Sequence, residues 1–226
     1  MTSFSTGSTP RRGFLARMAA AVAAASVPWR SAEARAAVVS QKIGLDDFLD
    51  GLNGRYKYFF DSPALGGGGM YAHVRNYMRA YTETFGVAES DVNAIVTLYT
   101  PNPGSTQFLA FTDAMWEKYA IGEFASLTDA STGRPLVRNM YYRPQPEDRV
   151  PPGMSISALQ ERGVTFLTCA NSLRVFSGAL ARAGRGEADA IQADLLANLL
   201  PGVILVPSMV VAIERAQAHG FAYKRE

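Results

Sequence analysis

The sequence predicts an α/β fold in which a mostly parallel, five-stranded sheet lies between two layers of helices. Five short runs rich in β-branched or aromatic residues alternate with longer segments whose apolar residues recur at helical spacing. Gly- and Pro-rich turns separate the two kinds of segment. Because parallel strands are joined by crossover helices, this alternation indicates a three-layer α/β/α domain with flavodoxin-like layering.

Each predicted strand is short and is bounded by turn-forming residues. The second is nearly continuously apolar, as expected for a strand covered on both faces. The five strands are YKYFF (56–60), VNAIVTLY (92–99), VTFLT (164–168), VILV (203–206) and FAYKR (221–225).

The helices follow from apolar spacing and from stop signals. Residues 70–85 have Val74, Tyr77, Met78, Tyr81 and Phe85 on one face, and Gly86 follows as a stop. Further helices are predicted over FLAFTDAMWEKYAIGEF (108–124), SISALQERG with Ser155 or Ser157 as cap, ANSLRVFSGALARAG, IQADLLANLL and PSMVVAIERAQAHG. The Pro-, Gly- and Arg-rich segment 125–153 is predicted to be a long ordered loop or lid.

The first 36 residues have the order of regions found in an export signal. The pair Arg11-Arg12 comes first, an Ala-rich apolar run follows, and Ala34-Arg35-Ala36 matches an A-x-A cleavage site. Twin arginines before Gly-Phe-Leu resemble a twin-arginine translocation signal, which predicts export of the folded protein to the periplasm. The predicted organisation is a signal peptide over 1–36, a lead with a short helix over 37–54 and one α/β domain over 55–226.

The charge of the remaining chain argues against nucleic-acid binding. Of the 22 basic and 20 acidic residues, five arginines and one glutamate lie in the first 36 positions, which leaves 17 basic and 19 acidic residues. No basic surface for a phosphate backbone is therefore predicted. No run after the signal approaches the length of a transmembrane helix, so no membrane span is predicted in the mature protein.

The single cysteine of the 226-residue chain, Cys169, falls where a predicted strand meets a predicted helix. Free N–H groups and the positive end of the helix dipole favour a negatively charged sulfur there, so one interpretation is a reactive thiol. The other is a small buried apolar side chain, since free cysteines are often buried. No C-x-x-C motif is present, which argues against thioredoxin-like chemistry.

Several further residues are candidates for the carboxyl edge of the sheet, where ligands bind in open α/β folds. The Gly-rich run Gly66, Gly67, Gly68 and Gly69 precedes a helix, either as an anion cradle or as a flexible turn. Candidate supporting groups for Cys169 are His73, Asn171 and Arg138. The only other histidine, His219, lies at the end of a helix and is interpreted as structural. The spacing of histidine and cysteine predicts no metal site.

Two segments, GVTFLTCANSL and LLPGVILVPSMVVAIERAQAHGFAYKRE, resemble the DsrE/DsrF-like (YchN-like) sulfur-relay family. The resemblance covers residues 56–99 and 155–226, whereas 100–154 agrees only in the order of elements. It implies a three-layer α/β fold, a homo-oligomer and, in sulfur-carrying members, a persulfide-bearing cysteine at the position of Cys169.

The expected function is therefore an exported, DsrE-like persulfide carrier that uses Cys169 without a cofactor. Its expected partners are a sulfur donor or acceptor protein or a small sulfur species, together with other copies of the chain and the export machinery. The alternative is a non-catalytic protein of the same fold that binds a small ligand or a partner beneath the 125–153 loop, with Cys169 as packing only.

Overall fold

A computed structural model describes residues 44–102 and 104–226 of the protein. Its centre is a five-stranded sheet in the order β4-β3-β2-β1-β5, and all four neighbouring pairs run parallel. The strands are β1 (Tyr56–Asp61), β2 (Val92–Leu98), β3 (Thr165–Cys169), β4 (Val203–Val206) and β5 (Ala222–Arg225). Helices cover both faces of the sheet, so the predicted three-layer α/β/α fold is confirmed.

Eight α-helices lie in the described part of the chain. They are α1 (Leu45–Gly51), α2 (Gly69–Arg79), α3 (Asp113–Lys118), α4 (Ile121–Phe124), α5 (Ile156–Glu161), α6 (Ala170–Arg182), α7 (Ala188–Ala197) and α8 (Met209–Ala218). The helix predicted over 70–85 is thus α2 followed by a π-helical turn over Ala80–Thr84. Of the two serines predicted as the cap of α5, Ser155 is the one that caps it. Its side chain accepts a hydrogen bond from the Ala158 N–H at 3.1 Å.

Each face of the sheet has its own apolar core. On one face, helices α1 and α8 pack on Phe59, Ile95 and Leu167. On the other, the larger core combines side chains of α2, α5, α6 and α7 with Phe60, Val96 and other sheet residues. Successive strand residues therefore point to two buried layers, which explains why the strands are nearly continuously apolar.

The prediction of one helix over 108–124 is wrong. A 3-10 turn (Gln107–Ala110), α3 and α4 replace it, with extended backbone at Thr112 and a left-handed residue at Ala120 (φ 46°, ψ 50°). The apolar spacing fits a helix, but Phe111 forms an antiparallel bridge with Leu199, and the Leu200 N–H donates to Ala110 O at 2.8 Å. These tertiary hydrogen bonds take the backbone groups that a continuous helix would use.

Hydrogen bonds to other parts of the chain and within itself hold the long loop over 125–153 in place. Asn139 is buried, and its side-chain amide donates to Leu109 O at 2.9 Å while its backbone N–H donates to Asp113 Oδ1 at 2.8 Å. A tighter turn forms where the Asp129 carboxylate accepts hydrogen bonds from Ser131. These bonds, with those from the following threonine, lower the pKa of Asp129 to about 2.

The predicted signal peptide over 1–36 lies outside the described residues, as does the lead up to residue 43. Within the described ranges, no helix is both long and apolar enough to cross a membrane.

Candidate functional site at the carboxyl edge of the sheet

Cys169 is the last residue of β3 and the N-cap of the 13-residue helix α6. Its backbone is extended (φ −105°, ψ 123°), and the N–H of Ser172 donates to its Sγ across 3.5 Å. The sulfur takes the place of the Ser, Thr or Asp oxygen that usually accepts this bond at a helix start. The predicted position at the strand-to-helix junction is confirmed.

The Cys169 side chain lies in the apolar layer between the sheet and α8. It is 5 % exposed, it is opposite Val206 in the register of β3 and β4, and Leu167 and Met209 belong to the same buried cluster. Both features predicted for this residue therefore occur together: the sulfur is at a helix start, and it is buried among apolar side chains.

A tyrosine and a carboxylate share this face and this edge of the sheet with Cys169. Leu98 pairs with Thr168, so continuing the register by one residue brings Tyr99 beside Cys169. Tyr99 also packs against the buried cluster that contains the cysteine. Because side chains alternate along a strand, Asp61 at the end of β1 points to this same face, as Phe59 does.

Asp61 is a buried carboxylate, 3 % exposed, whose partners are hydroxyl groups. The Tyr223 hydroxyl donates to Asp61 Oδ2 at 2.7 Å, and Thr97 Oγ1 lies 3.4 Å from Oδ1. The pKa of Tyr99 is raised, first by burial and then by its hydrogen bond to Asp61, and the pKa of Tyr223 is raised for the same two reasons. Both phenols therefore stay protonated at neutral pH, and the Tyr223 hydroxyl donates to the carboxylate.

Asp61, Tyr99 and Tyr223 are not among the candidate residues predicted from the sequence. A usable signal was present, because an acidic residue ends a largely aromatic strand directly before a turn. Tyr223 belongs to the last strand in sequence, and only the pairing of β5 beside β1 brings it to Asp61.

On the opposite face of the sheet, Thr168 anchors the backbone next to Cys169. Its hydroxyl donates to Leu98 O at 2.8 Å and accepts a bond from Gln107 Nε2, also at 2.8 Å. All of these groups are buried. The end of β3, and with it the cysteine, is thereby fixed to β2 and to the 3-10 turn that follows it.

His73 does not meet Cys169. It lies in α2, its side chain is 51 % exposed, and its Nδ1 is 2.6 Å from Glu226 Oε2 and 3.2 Å from Lys224 Nζ. These partners flank the β5 edge, which β1 and β2 separate from β3. The structure therefore gives His73 other ionic partners instead of the predicted supporting place beside the thiol.

The other two candidate supporting residues have different surroundings. Arg138 pairs with Asp148 within the 125–153 loop, and its guanidinium donates two hydrogen bonds to that carboxylate, one of them at 2.8 Å. The structure thus gives the Arg138 side chain a partner inside the loop instead of the thiol. Asn171 is exposed in the first turn of α6, two residues after the cysteine.

The Gly-rich run forms a 3-10 turn over Gly66–Gly68, and Gly69 begins α2. The three residues of the turn have positive φ angles of 50°, 64° and 82°, a conformation that glycine adopts without a steric penalty. The Leu65 N–H donates to Gly104 O at 2.7 Å, so the Gly-rich turn meets the turn after β2. Both turns therefore lie at the carboxyl edge of the sheet.

Among residues 44–102 and 104–226, no cluster of three or more His, Cys, Asp or Glu side chains could hold a metal ion. The fold and the site define an all-parallel, three-layer α/β protein with a free cysteine at the carboxyl edge of its sheet. No protein-family model, curated protein or solved structure gave a significant match to the chain.

Proposed function

We propose that the protein is an exported sulfur carrier in which Cys169 accepts and passes on sulfane sulfur as a persulfide. The observation that supports this most directly is the position of its Sγ at the start of α6, 3.5 Å from the Ser172 N–H. Backbone N–H groups and the helix dipole at such a position stabilise negative charge on sulfur. The resemblance of the flanking sequence to sulfur-relay proteins points to the same chemistry.

The transfer step is a thiol exchange. The Cys169 sulfur attacks the outer, sulfane sulfur of a persulfide or polysulfide donor, the S–S bond of the donor breaks, and a new S–S bond forms on Cys169. The rest of the donor leaves as a thiol, as hydrosulfide or as a shorter polysulfide and takes the proton that the cysteine loses, so the exchange needs no added oxidant or reductant. The reverse exchange with an acceptor thiol unloads the carrier.

The burial of Cys169 favours a small donor over a protein donor. Only 5 % of the residue is exposed, and α8 covers this face of the sheet. A protein surface reaches such a sulfur only if the helix moves, whereas a polysulfide chain is narrow. We therefore propose small sulfane-sulfur species as the substrates.

Intact-mass measurement on purified protein tests the carrier function. After incubation with inorganic polysulfide under native conditions, the wild type should gain the mass of one sulfur atom, and dithiothreitol should remove it. Because the chain has one cysteine, Cys169→Ser is a complete control and should show no adduct. No adduct on the wild type, an equal adduct on Cys169→Ser, or an adduct that forms only in urea would refute the proposal.

Export and self-association are part of the same proposal. The Arg11-Arg12 pair and the Ala34-Arg35-Ala36 site support a periplasmic protein that begins at Ala37 after cleavage. The homo-oligomer rests on the resemblance to the sulfur-relay family, and the neighbouring exposed residues Val210 and Val211 on α8 are candidates for the contact. N-terminal sequencing of the secreted form and light scattering of the purified protein test the two parts separately.

The binding alternative differs from the carrier in one measurable property. If Cys169 serves only in packing, a maleimide should label it in the folded protein no faster than the protein unfolds globally. A carrier cysteine should react much faster than that limit, so labelling rates measured beside the unfolding rate discriminate between the two functions.

A further inference from the structure

A cavity of about 180 Å³ lies on the face of the sheet opposite Cys169, between the start of α2 and the 125–153 loop. The Gly-rich turn and Tyr71 form one side, and Met140, Tyr141, Arg149 and Met154 contribute to the other. An engineered apolar cavity of about 150 Å³ holds one benzene molecule, so this space accepts a compound with a single ring.

One of the residues that line this cavity, Tyr71, has a buried hydroxyl group without a hydrogen-bond partner. Tyr71 is fully buried, and its hydroxyl makes no hydrogen bond within the described part of the protein. Burial holds the pKa of Tyr71 well above its ordinary value, and the nearby Tyr141 adds to the effect. The phenol is therefore a donor at neutral pH, and a ligand with an acceptor oxygen would satisfy it.

The shape of the site suits a flat, partly apolar molecule. The rings of Tyr71 and Tyr141 stack with their centroids 5.4 Å apart and an angle of 23° between their planes. The loop and the turn approach closely, because a Cβ atom at Gly68 would lie 2.8 Å from Tyr141 Cε1. Two methionine side chains in the lining adapt readily to the outline of a ligand.

The charges around the cavity favour an anion. Arg149 lines it and forms no ion pair within residues 44–102 and 104–226. The carboxylate of Asp148, which also lines the cavity, is already paired with Arg138 and accepts a hydrogen bond from the Gln145 N–H at 2.6 Å. The 11-residue helix α2 begins at this end of the cavity, and its dipole adds positive potential.

We propose that this cavity binds a small aromatic monocarboxylate, whose carboxylate meets Tyr71 and Arg149 and whose ring lies among the Tyr141 and methionine side chains. The site is separate from the sulfur chemistry proposed for Cys169, because the cavity and the cysteine lie on opposite faces of the sheet. Binding should therefore be the same in wild type and Cys169→Ser, and either proposal can fail without the other.

Benzoate is a suitable probe, measured by isothermal titration and by saturation-transfer NMR on the purified protein. We expect saturable binding with a dissociation constant of about 1 mM or tighter. Benzyl alcohol, which has the ring without the charge, and acetate, which has the charge without the ring, should each bind at least about tenfold more weakly.

Three variants test the residues. Tyr71→Phe removes only the hydroxyl, and Arg149→Gln removes a charge at an exposed position where folding is not at risk; each should weaken benzoate binding at least about fivefold. Tyr77→Phe is the matched control, because Tyr77 lies on the same helix, has a buried hydroxyl without a partner and does not line the cavity. Absence of saturable benzoate binding, equal binding of benzyl alcohol, or unchanged affinity in both Tyr71→Phe and Arg149→Gln would overturn the proposal.

Discussion

At the scale of single residues, Cys169 has two structural roles that are independent of any reaction. Its sulfur accepts a bond from the Ser172 N–H and thereby caps α6, and its side chain fills part of the layer beneath α8. The cap requires an acceptor atom, whereas the packing requires only volume. Substitutions that keep one property and remove the other can separate them.

We expect Cys169→Ser to be more stable than Cys169→Ala by about 1 kcal/mol. Serine retains an acceptor for the Ser172 N–H and is a favoured N-cap residue, whereas alanine leaves that N–H without a partner. The free energies of unfolding from urea titrations measure the difference. An alanine variant as stable as the serine variant would show that the cap contributes nothing.

Gly122 is a second residue whose small size is required. It lies in α4, and a Cβ atom there would overlap the backbone of Leu136, with Leu136 N only 2.7 Å away. The helix and the 125–153 loop thus make a close backbone contact that glycine alone permits.

Gly122→Ala should therefore destabilise the protein by about 2 to 3 kcal/mol and displace the loop near Leu136. Gly51→Ala is the matched control, because Gly51 is also helical and has no atom within 4 Å of the Cβ position. Its expected effect is neutral or slightly stabilising, since alanine has the higher helix propensity. Thermal melts of both variants check the contrast, and similar melting temperatures would contradict it.

At the scale of elements, the 125–153 loop depends on the pair between Arg138 and Asp148. The side chain of Asp148 is 2 % exposed and that of Arg138 is 20 % exposed, so the pair is largely shielded from water. Asp148 also accepts the bond from the Gln145 N–H, which fixes the 3-10 turn that follows. Loss of the carboxylate charge affects both contacts together.

Asp148→Asn should cost about 2 kcal/mol and speed hydrogen exchange across residues 138–150, because the partly buried Arg138 loses its counter-ion. The exposed pair of Arg79 and Glu83 provides the comparison, with both side chains more than half exposed. Glu83→Gln should change stability by no more than about 0.5 kcal/mol. Equal effects of the two changes would show that burial of the loop pair does not matter.

At the scale of the whole molecule, buried tyrosines set the stability at alkaline pH. Burial raises the pKa of Tyr71 and Tyr99 above the ordinary value near 10. The folded chain therefore keeps protons that the unfolded chain releases. By linkage, the stabilisation is fully present below about pH 10 and is lost as the pH rises above it.

Urea midpoints measured from about pH 8 to about pH 11 should accordingly be constant at first and then fall steeply. Tyr71→Phe should make the fall less steep. One phenol fewer then contributes to the difference in bound protons between the folded and the unfolded chain. Ultraviolet titration should show that these phenols ionise only on unfolding. A flat midpoint up to about pH 11 would contradict the assignment.

The sequence by itself determined the layers of this protein and the order of its elements. Strand composition, apolar spacing and turn residues act locally, so β1 to β5, the helix over 70–85 and the ordered 125–153 loop were predictable, as was Cys169 at a strand-to-helix junction. The break in the 108–124 segment was not, because a bridge from Phe111 to the distant Leu199 overrides local propensity.

Only the tertiary structure decided which side chains meet. His73 and Cys169 both follow strands, yet the order β4-β3-β2-β1-β5 separates them and instead brings Tyr223 from the last strand to Asp61 on the first. Strand order and the face on which each side chain lies depend on long-range pairing, which no local pattern encodes. The cavity beside Tyr71 likewise exists only because the loop folds back onto the Gly-rich turn.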